Sequence, residues 1–238
     1  MGIDVQGYIR TTNEPWGKRF YRLVWNHLNC EKKRILDFGS GLGSTANHLA
    51  KRNEVIAIEP NQEMIANRVS ENSYIQLAGS MDELEKIPDH SIDTIVCHNV
   101  LEYVNNRKCI LQEFVRILKQ DGFVSIVKHN KSGKIMQKVV FENNIDDALK
   151  LLSNIDVESV NFGTICEYEV EDLERDSDFR PRAGEIYGVR TFYALQRNDW
   201  KYEDSWIENM YRMECAVEEI PEFREIAFFH HVILKVGG

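Results

Sequence analysis

The stretch that decides the fold is Arg34 to Gly43, RILDFGSGLG, an apolar run that ends in an acid and continues into three alternate glycines. The whole chain has 14 glycines in 238 residues, so three within five positions mark a backbone with special requirements. Glycine adopts positive φ without strain and leaves space where a Cβ would stand. Open parallel sheets bind ligands where a strand exits at its carboxyl end. The stretch therefore predicts a buried strand followed by a ligand-binding turn.

Short apolar runs alternate with helical patterns through the first half of the chain, as in a doubly wound parallel sheet. After Val127 this alternation stops, and two more strand patterns follow late in the chain. We therefore predict an α/β fold with strands over 34–38, 54–58, 73–77, 92–97, 123–127, 189–195 and 228–235, and helices over 17–29, 44–52, 61–70, 105–119, 146–152, 170–175 and 203–217.

The length fits one large domain without a second independent one. We predict a single domain over 1–238, in which a cofactor-binding core (17–128) is followed by a cap and substrate insertion (about 129–185) and by late strands and a helix (186–238). No apolar run approaches 18 residues, and the N-terminal sequence lacks a secretory pattern, so we expect a cytoplasmic protein without a membrane span.

The net charge of −9, from 29 basic and 38 acidic residues, argues against broad binding of a phosphate backbone. Basic residues nevertheless cluster in two places, 128–138 and 180–201, and either cluster could form local basic surface or a solvated face without a partner. The five cysteines are scattered and no histidine stands at metal-ligand spacing, so we expect reduced thiols and no metal site.

The spacing around the glycines selects the ligand. A dinucleotide site of the form G-x-G-x-x-G would need a third glycine at position 44, where the chain has Ser44. Asp37, two residues before Gly39, suits a ligand with an ammonium group, although it could instead cap a helix or end a strand. Glu59 ends the second strand and can accept both hydroxyls of a ribose, with capping of the next helix as its other role. Ribose and ammonium without pyrophosphate indicate S-adenosylmethionine.

The chain resembles the class I S-adenosylmethionine-dependent methyltransferases. ILDFGSGLG is similar to their first motif, IEPNQEMI to their ribose and adenine segment, AGSMDEL to the loop after the third strand, and SIDTIVCHNVLEYV to their fourth motif. These blocks follow one another in the family's order between about 35 and 127. The resemblance implies a Rossmann-like, seven-stranded, mostly parallel sheet with an antiparallel last strand and a helical cap.

The resemblance also implies a cofactor site. Ser80 departs from the family, which usually has an acid there for the adenine amino group, so either Asp82 or the backbone near Met81 would make that contact. The cofactor-binding residues implied are Arg19, Asp37, Gly39, Ser40, Gly41, Glu59, Pro60, Met64, Ser80, Met81 and His98.

The second half of the chain resembles the tRNA methyltransferases that esterify 5-carboxymethoxyuridine at the wobble position, through HxVLE at 98–102, HNKSGKIM after the fifth strand and GVRTF at 188–192. A carboxylate is already ionised at pH 7, so the expected site positions its reactants and has no acid or base catalyst. Arg190 and Arg197 would hold the carboxylate and phosphates, and Tyr193 would stack on a base.

Three other functions stay open at this stage. A small-molecule O- or N-methyltransferase would use the same cofactor half with another acceptor pocket. A regulator would bind the cofactor without catalysis. A nicotinamide dehydrogenase is disfavoured by Ser44. The partner is accordingly expected to be tRNA or a small acceptor.

Overall fold

The structure, a computed structural model, describes residues 4–155 and 166–236, with backbone alone for 181–184. Seven strands form one sheet in the order β3-β2-β1-β4-β5-β7-β6. The sheet is mostly parallel and its last strand, β7, is antiparallel, which confirms the predicted α/β fold class. The strands are β1 (Arg34–Phe38), β2 (Glu54–Glu59), β3 (Ile75–Ala78), β4 (Ile92–His98), β5 (Leu118–His129), β6 (Phe179–Val189) and β7 (Phe229–Val236).

Helices lie before and between these strands. No described helix is long and apolar enough to cross a bilayer. The α-helices among the described residues are α1 (Val5–Asn13), α2 (Pro15–Asn26), α3 (Ser44–Leu49), α4 (Gln62–Ala66), α5 (Met81–Leu84), α6 (Arg107–Ile117), α7 (Lys131–Met136), α8 (Ile145–Leu152), α9 (Val170–Asp176), α10 (Asp204–Val217) and α11 (Pro221–Arg224).

Strand β1 forms the centre of the parallel part of the sheet. Its residue Ile35 stands opposite Val55 of β2 on one side and Thr94 of β4 on the other. Residues 35–38 are all buried, because both faces of a parallel sheet are covered by crossover helices. Asp37 is therefore a carboxylate inside the core layer at the carboxyl end of a buried strand.

Helix α6 shows how the sequence pattern builds the core. Its residues Ile110, Leu111, Phe114 and Ile117 recur at helical spacing, and each is at most 1% exposed. Burying side chains of this size contributes roughly 1.5–3 kcal/mol each. The predicted helix over 105–119 is thus observed over 107–117, with its apolar face buried.

The described chain divides into two compact units. The sheet unit comprises 28–127, 168–183 and 232–236, and it holds β1–β4, α3–α6, α9 and most of β5. The helical unit comprises 4–27, 128–155, 166–167 and 184–231, and it holds α1, α2, α7, α8, α10 and α11. The expected division into core, cap and late segments stays a prediction, and part of the expected cap, 156–165, lies outside the described residues.

The predicted strand over 189–195 is wrong. Strand β6 lies earlier, over Phe179–Val189, inside the segment expected to be a helical cap. It ends because Arg190 adopts a left-handed backbone conformation, with φ of 66°. A short 3-10 helix, Tyr193–Leu195, follows.

In a strand, the backbone N–H groups of this segment would pair with a neighbouring strand. Instead, three of them donate to a single buried carboxylate. The Glu214 side chain, on α10, accepts hydrogen bonds from the backbone N–H groups of Thr191 (2.8 Å), Phe192 (2.8 Å) and Tyr193 (3.0 Å). A sequence pattern cannot show that a glutamate 21 to 23 residues later supplies the acceptors. The apolar run is therefore a buried turn.

Replacing Glu214 with Ala should lower the free energy of unfolding by about 3 kcal/mol, because three buried backbone donors lose their acceptor. Glu214→Gln keeps one acceptor oxygen and should lose about half as much. Arg212→Ala, an exposed change on the same helix, is the control and should change it by less than 0.5 kcal/mol. Urea unfolding measures all three, and equal stabilities for the Ala variant and the control would contradict the role assigned to Glu214.

Candidate functional site

The glycine turn has the left-handed backbone that its sequence predicts. Gly39, Gly41 and Gly43 have φ of 74°, 54° and 69°. The N–H groups of Gly39 and Ser40 both donate to the carbonyl oxygen of Ile58, at 2.9 and 3.0 Å, which holds the turn against the end of β2. The turn is thus a fixed feature of the carboxyl edge of the sheet.

The expectation that the missing side chains make room for a ligand is wrong at two of the three glycines. A Cβ on Gly39 would overlap the side chain of Val100, which follows β4, and a Cβ on Gly43 would overlap the hydroxyl of Tyr74. The space at these positions is filled by the protein's own side chains. The glycines are needed for backbone conformation and for close packing of neighbouring loops.

Two carboxylates lie at the ends of adjacent strands beside this turn. Asp37, 3% exposed, accepts a hydrogen bond from the N–H of Ala46, while its Oδ2 atom is buried without a partner. Glu59, 8% exposed, accepts from the N–H groups of Gly41 and Asn61, each at 2.9 Å. A carboxylate has about four acceptor positions, so Glu59 retains capacity for two further donors.

The electrostatics of this pair favour a ligand that brings positive charge and hydrogen-bond donors. Burial, with a smaller contribution from the nearby charge of Glu59, raises the pKa of Asp37 to about 7. The amides of the turn and of the start of α3 are largely used within the protein, so few remain for a phosphate. An ammonium group fits the free oxygen of Asp37, and ribose hydroxyls fit the remaining lone pairs of Glu59. These residues therefore suit S-adenosylmethionine and not a dinucleotide.

Two more buried acceptors without partners lie in the same loops. One is the Ser40 hydroxyl oxygen, which the sequence predicted, and the other is Asn99 Oδ1, which it missed. Asn99 follows β4 with φ of 56°, and its N–H donates to Val127 O at 2.8 Å. The one signal for it in the sequence is a polar residue directly after a buried strand. Both oxygens can accept from a ligand held at the turn.

The residues expected near the adenine lie along the same edge. Met64, on α4, is 2% exposed and can line an apolar pocket, whereas Pro60 is exposed. Ser80 and Met81 begin α5, where Asp82 Oδ1 accepts from the Ser80 N–H at 2.9 Å. This bond lowers the pKa of Asp82 and leaves its second oxygen available for an amino group. The Asp82 alternative is therefore compatible with the geometry.

His98 lies at the end of β4, with its Nε2 atom 2.8 Å from the Ser125 hydroxyl. Burial lowers the pKa of His98 to about 3, so the imidazole is neutral at physiological pH. A base this weak cannot remove a proton from an amine or a thiol at neutral pH. The arrangement suits a neutral contact surface and not a general base.

The other predicted residues belong to the helical unit. Arg19 is 8% exposed and lies 3.6 Å from Glu208. The Arg190 guanidinium is packed among aromatic rings, and Tyr193 is 1% exposed with its hydroxyl oxygen unpartnered. Arg197 is exposed and forms a two-point ion pair with Asp199, at 3.2 and 2.9 Å. Arg190 and Tyr193 therefore lie together, whereas Arg197 is occupied at the surface.

The basic run over 128–138 does not form an open basic surface. Lys128 is 1% exposed, Lys134 pairs with Glu167 at 2.6 Å and Lys138 pairs with Glu142 at 2.7 Å. The charges of Lys134 and Lys138 are therefore compensated by neighbouring glutamates.

A groove of about 810 Å³ carries basic surface that the sequence analysis did not anticipate. It lies where β1 and β2 begin, at the edge of the sheet opposite to the glycine turn. Asp93 offsets part of its charge through Lys119 at 3.0 Å. Its basic lining residues are Lys32, Lys33, Arg34, Lys51, Arg52 and Lys119.

Comparison with known proteins shows the family to which the chain belongs. The profile of the methyltransferase domain matches residues 36–126. An inferred methyltransferase of Geobacillus sp. (strain WCH70) is 31% identical over 209 residues, which cover 83% of each chain. The chain belongs to the methyltransferase family, and it is an S-adenosylmethionine-dependent enzyme with the class I fold.

Two relatives with assigned substrates match over a shorter range. The tRNA 5-carboxymethoxyuridine methyltransferase of Escherichia coli (strain K12) is 30% identical over 50% of this chain and 49% of its own length. The human thiol S-methyltransferase TMT1A is 25% identical over 51% of this chain and 52% of its own length. The chain thus matches about half the length of these relatives.

A solved structure extends the likeness of fold to nearly the whole chain. A S-adenosylmethionine-dependent methyltransferase of Thermotoga maritima superimposes with a TM-score of 0.62 over 98% of this chain and 96% of that one, at 17% identity. The fold is therefore retained where the sequences have diverged.

Asp37→Asn should remove a pH dependence of the free energy of unfolding in the cofactor-free protein. A carboxyl whose pKa is raised on folding stabilises the folded state at low pH and loses that contribution as the pH rises through about 7. Between pH 5 and pH 8 the wild type should therefore lose about 2–3 kcal/mol that the Asn variant keeps. Cofactor affinity at pH 8 should fall at least tenfold in the variant.

Urea unfolding at the two pH values, with calorimetric titration of S-adenosylmethionine, measures both effects. Asp93→Asn is the control, because ion pairing lowers the pKa of Asp93, so its charge is constant over this range. Parallel stability curves for the wild type and Asp37→Asn would contradict the assigned pKa.

Proposed function

We propose that this enzyme transfers a methyl group from S-adenosylmethionine to the carboxylate of a modified wobble uridine in tRNA, in the cytoplasm. The observation that carries this proposal is that burial lowers the pKa of His98, beside the candidate cofactor turn, to about 3, so this imidazole cannot act as a general base near neutral pH. A carboxylate acceptor needs no base, because it is ionised above about pH 4. The partial similarity to the tRNA 5-carboxymethoxyuridine methyltransferase supports the same acceptor.

The roles proposed for the sheet unit follow from its unpartnered atoms. The cofactor, when bound, supplies an electrophilic methyl group on sulfur. Asp37 Oδ2 and Ser40 Oγ hold its ammonium group, and Glu59 accepts from its ribose hydroxyls while it keeps the turn closed. The task left to the protein is alignment of the acceptor oxygen with the methyl carbon and exclusion of water.

The roles proposed for the helical unit concern the acceptor. Arg190 and Tyr193 bind the anionic group, since each has a buried polar atom without a hydrogen-bond partner. Arg197 contacts the tRNA backbone from the surface, after exchange of its ion pair with Asp199 for a phosphate. Arg19 stays a proposed cofactor contact.

A small-molecule acceptor is the second candidate, favoured by the similarity to a thiol S-methyltransferase over the same half of the chain. The two candidates differ in how the rate should depend on pH. Amines and thiols must lose a proton before they attack, whereas a carboxylate attacks in the form that already predominates at neutral pH.

The wild-type enzyme should transfer labelled methyl to tRNA that carries 5-carboxymethoxyuridine and should not label the same tRNA with unmodified uridine. The product should release labelled methanol in mild alkali, as an ester does. With both substrates saturating, kcat should vary by less than twofold between pH 6 and pH 8, because no proton leaves the acceptor.

Asp37→Asn serves as the cofactor-site control and should abolish labelling under the same conditions. Labelling of thiols or amines alone, with kcat rising about tenfold per pH unit, would overturn the tRNA carboxylate proposal in favour of the second candidate. Cofactor binding without transfer to any RNA or metabolite pool would favour a regulatory protein.

A further inference from the structure

The helical unit contains a buried lysine that the sequence analysis did not single out. Lys201, in the 3-10 segment Asn198–Tyr202, is 2% exposed. Its Nζ atom donates to Asn198 Oδ1 at 3.0 Å, and it forms no ion pair with a described carboxylate. The ammonium lies 5.3, 5.7 and 6.0 Å from the ring centres of Phe141, Trp16 and Tyr193. A buried cation among aromatic rings is stabilised only in part by those rings.

A second cation, which is partly buried, faces the same tyrosine. The Arg190 guanidinium lies 5.2 Å from the ring centre of Tyr193 and 4.7 Å from that of Phe228. Its Nε atom is buried without a hydrogen-bond partner, and so is the Tyr193 hydroxyl. No described carboxylate forms an ion pair with this guanidinium. Two cations therefore flank the Tyr193 ring. Both cations and the Tyr193 hydroxyl have hydrogen-bond donors that are not used.

The carboxylate of Glu214 offsets only one of these two positive charges. Glu214 is 1% exposed and is close enough to Arg190 to interact with it electrostatically. Its two oxygens, however, accept from the three backbone N–H groups of residues 191–193. Burial raises the pKa of Glu214, and protonation would only increase the positive excess.

Burial of excess positive charge lowers the stability of the folded protein, and a bound anion would remove this penalty. Burial, with a smaller effect of Arg190, lowers the pKa of Lys201 to about 8. A bound carboxylate would reverse this shift by giving the ammonium a partner. Positive charge held among unsatisfied donors is the arrangement by which proteins bind oxyanions.

We propose that Lys201, together with Arg190 and the Tyr193 hydroxyl, forms the receptor for the carboxylate of the methyl acceptor, and that Lys201 determines specificity for an anionic acceptor. This inference rests on the proposed function, because it identifies the ligand with the acceptor. The surrounding rings of Trp16 and Phe141 fit a flat base attached to that carboxylate and fit free phosphate less well.

The experiment compares three probes: the nucleoside 5-carboxymethoxyuridine, its neutral amide analogue and inorganic phosphate. Binding is measured by calorimetry on the full chain with S-adenosylhomocysteine present. The wild type should bind the carboxylate at least tenfold more tightly than the amide and than phosphate. In Lys201→Met this preference should fall below twofold, and in Lys201→Arg it should be largely kept.

Lys150→Met is the matched control, since it removes a lysine of the same unit that is exposed and paired with Asp147. It should keep the preference for the carboxylate. A preference kept in Lys201→Met would overturn the proposal, and so would phosphate binding as tightly as the carboxylate.

A second measurement does not depend on the folding of a variant. In wild-type protein with ¹⁵N-labelled lysine, the Lys201 Nζ resonance should move when the carboxylate nucleoside is added and stay in place with the amide. An unmoved resonance would overturn the receptor. Failure of the tRNA proposal is distinguishable, because the carboxylate would then bind at Lys201 while no tRNA is methylated.

Discussion

The site depends on one constraint: two carboxylates, Asp37 and Glu59, are buried side by side at the carboxyl ends of adjacent parallel strands. Parallel pairing places Phe38 opposite Ile58. Because Asp37 directly precedes Phe38 and Glu59 directly follows Ile58, both acids lie at the carboxyl edge of the sheet. Glu59 uses its oxygens to hold the glycine turn, and Asp37 keeps one oxygen without a partner. Negative charge in this place is costly until a ligand supplies an ammonium group and hydroxyl donors. Without such a ligand, this buried negative charge lowers the stability of the folded protein.

The helical unit contains buried positive charge, whereas the sheet unit contains buried negative charge. Lys201 is buried and Arg190 is partly buried beside Tyr193, while the Glu214 carboxylate accepts hydrogen bonds from backbone amides. Unsatisfied positive charge in one unit and unsatisfied negative charge in the other suit two ligands of different chemistry. In the esterification that we propose, the cofactor is cationic and the acceptor is anionic.

Much of the cofactor site could be predicted from the sequence, because its residues are local to strand ends. Asp37 and Glu59 were found from their spacing to the glycines and Ser40 from the family resemblance, and the structure gives each of them free acceptor capacity. Asn99 was missed, since a polar residue after a strand is common and its buried, unpartnered oxygen is visible only in the fold. Lys201 was missed because lysine is usually exposed, and nothing in its neighbours along the chain indicates burial.

The sequence by itself determined the parallel sheet, the helices that cover it and the position of the glycine turn, because periodicity and backbone conformation are properties of short segments. Only the tertiary structure decided that 189–195 is a turn, since the acceptor for its amides is Glu214, far along the chain. The tertiary structure also decided which basic residues are neutralised, buried or exposed. Charge compensation depends on which side chains meet, and a linear sequence does not contain those distances.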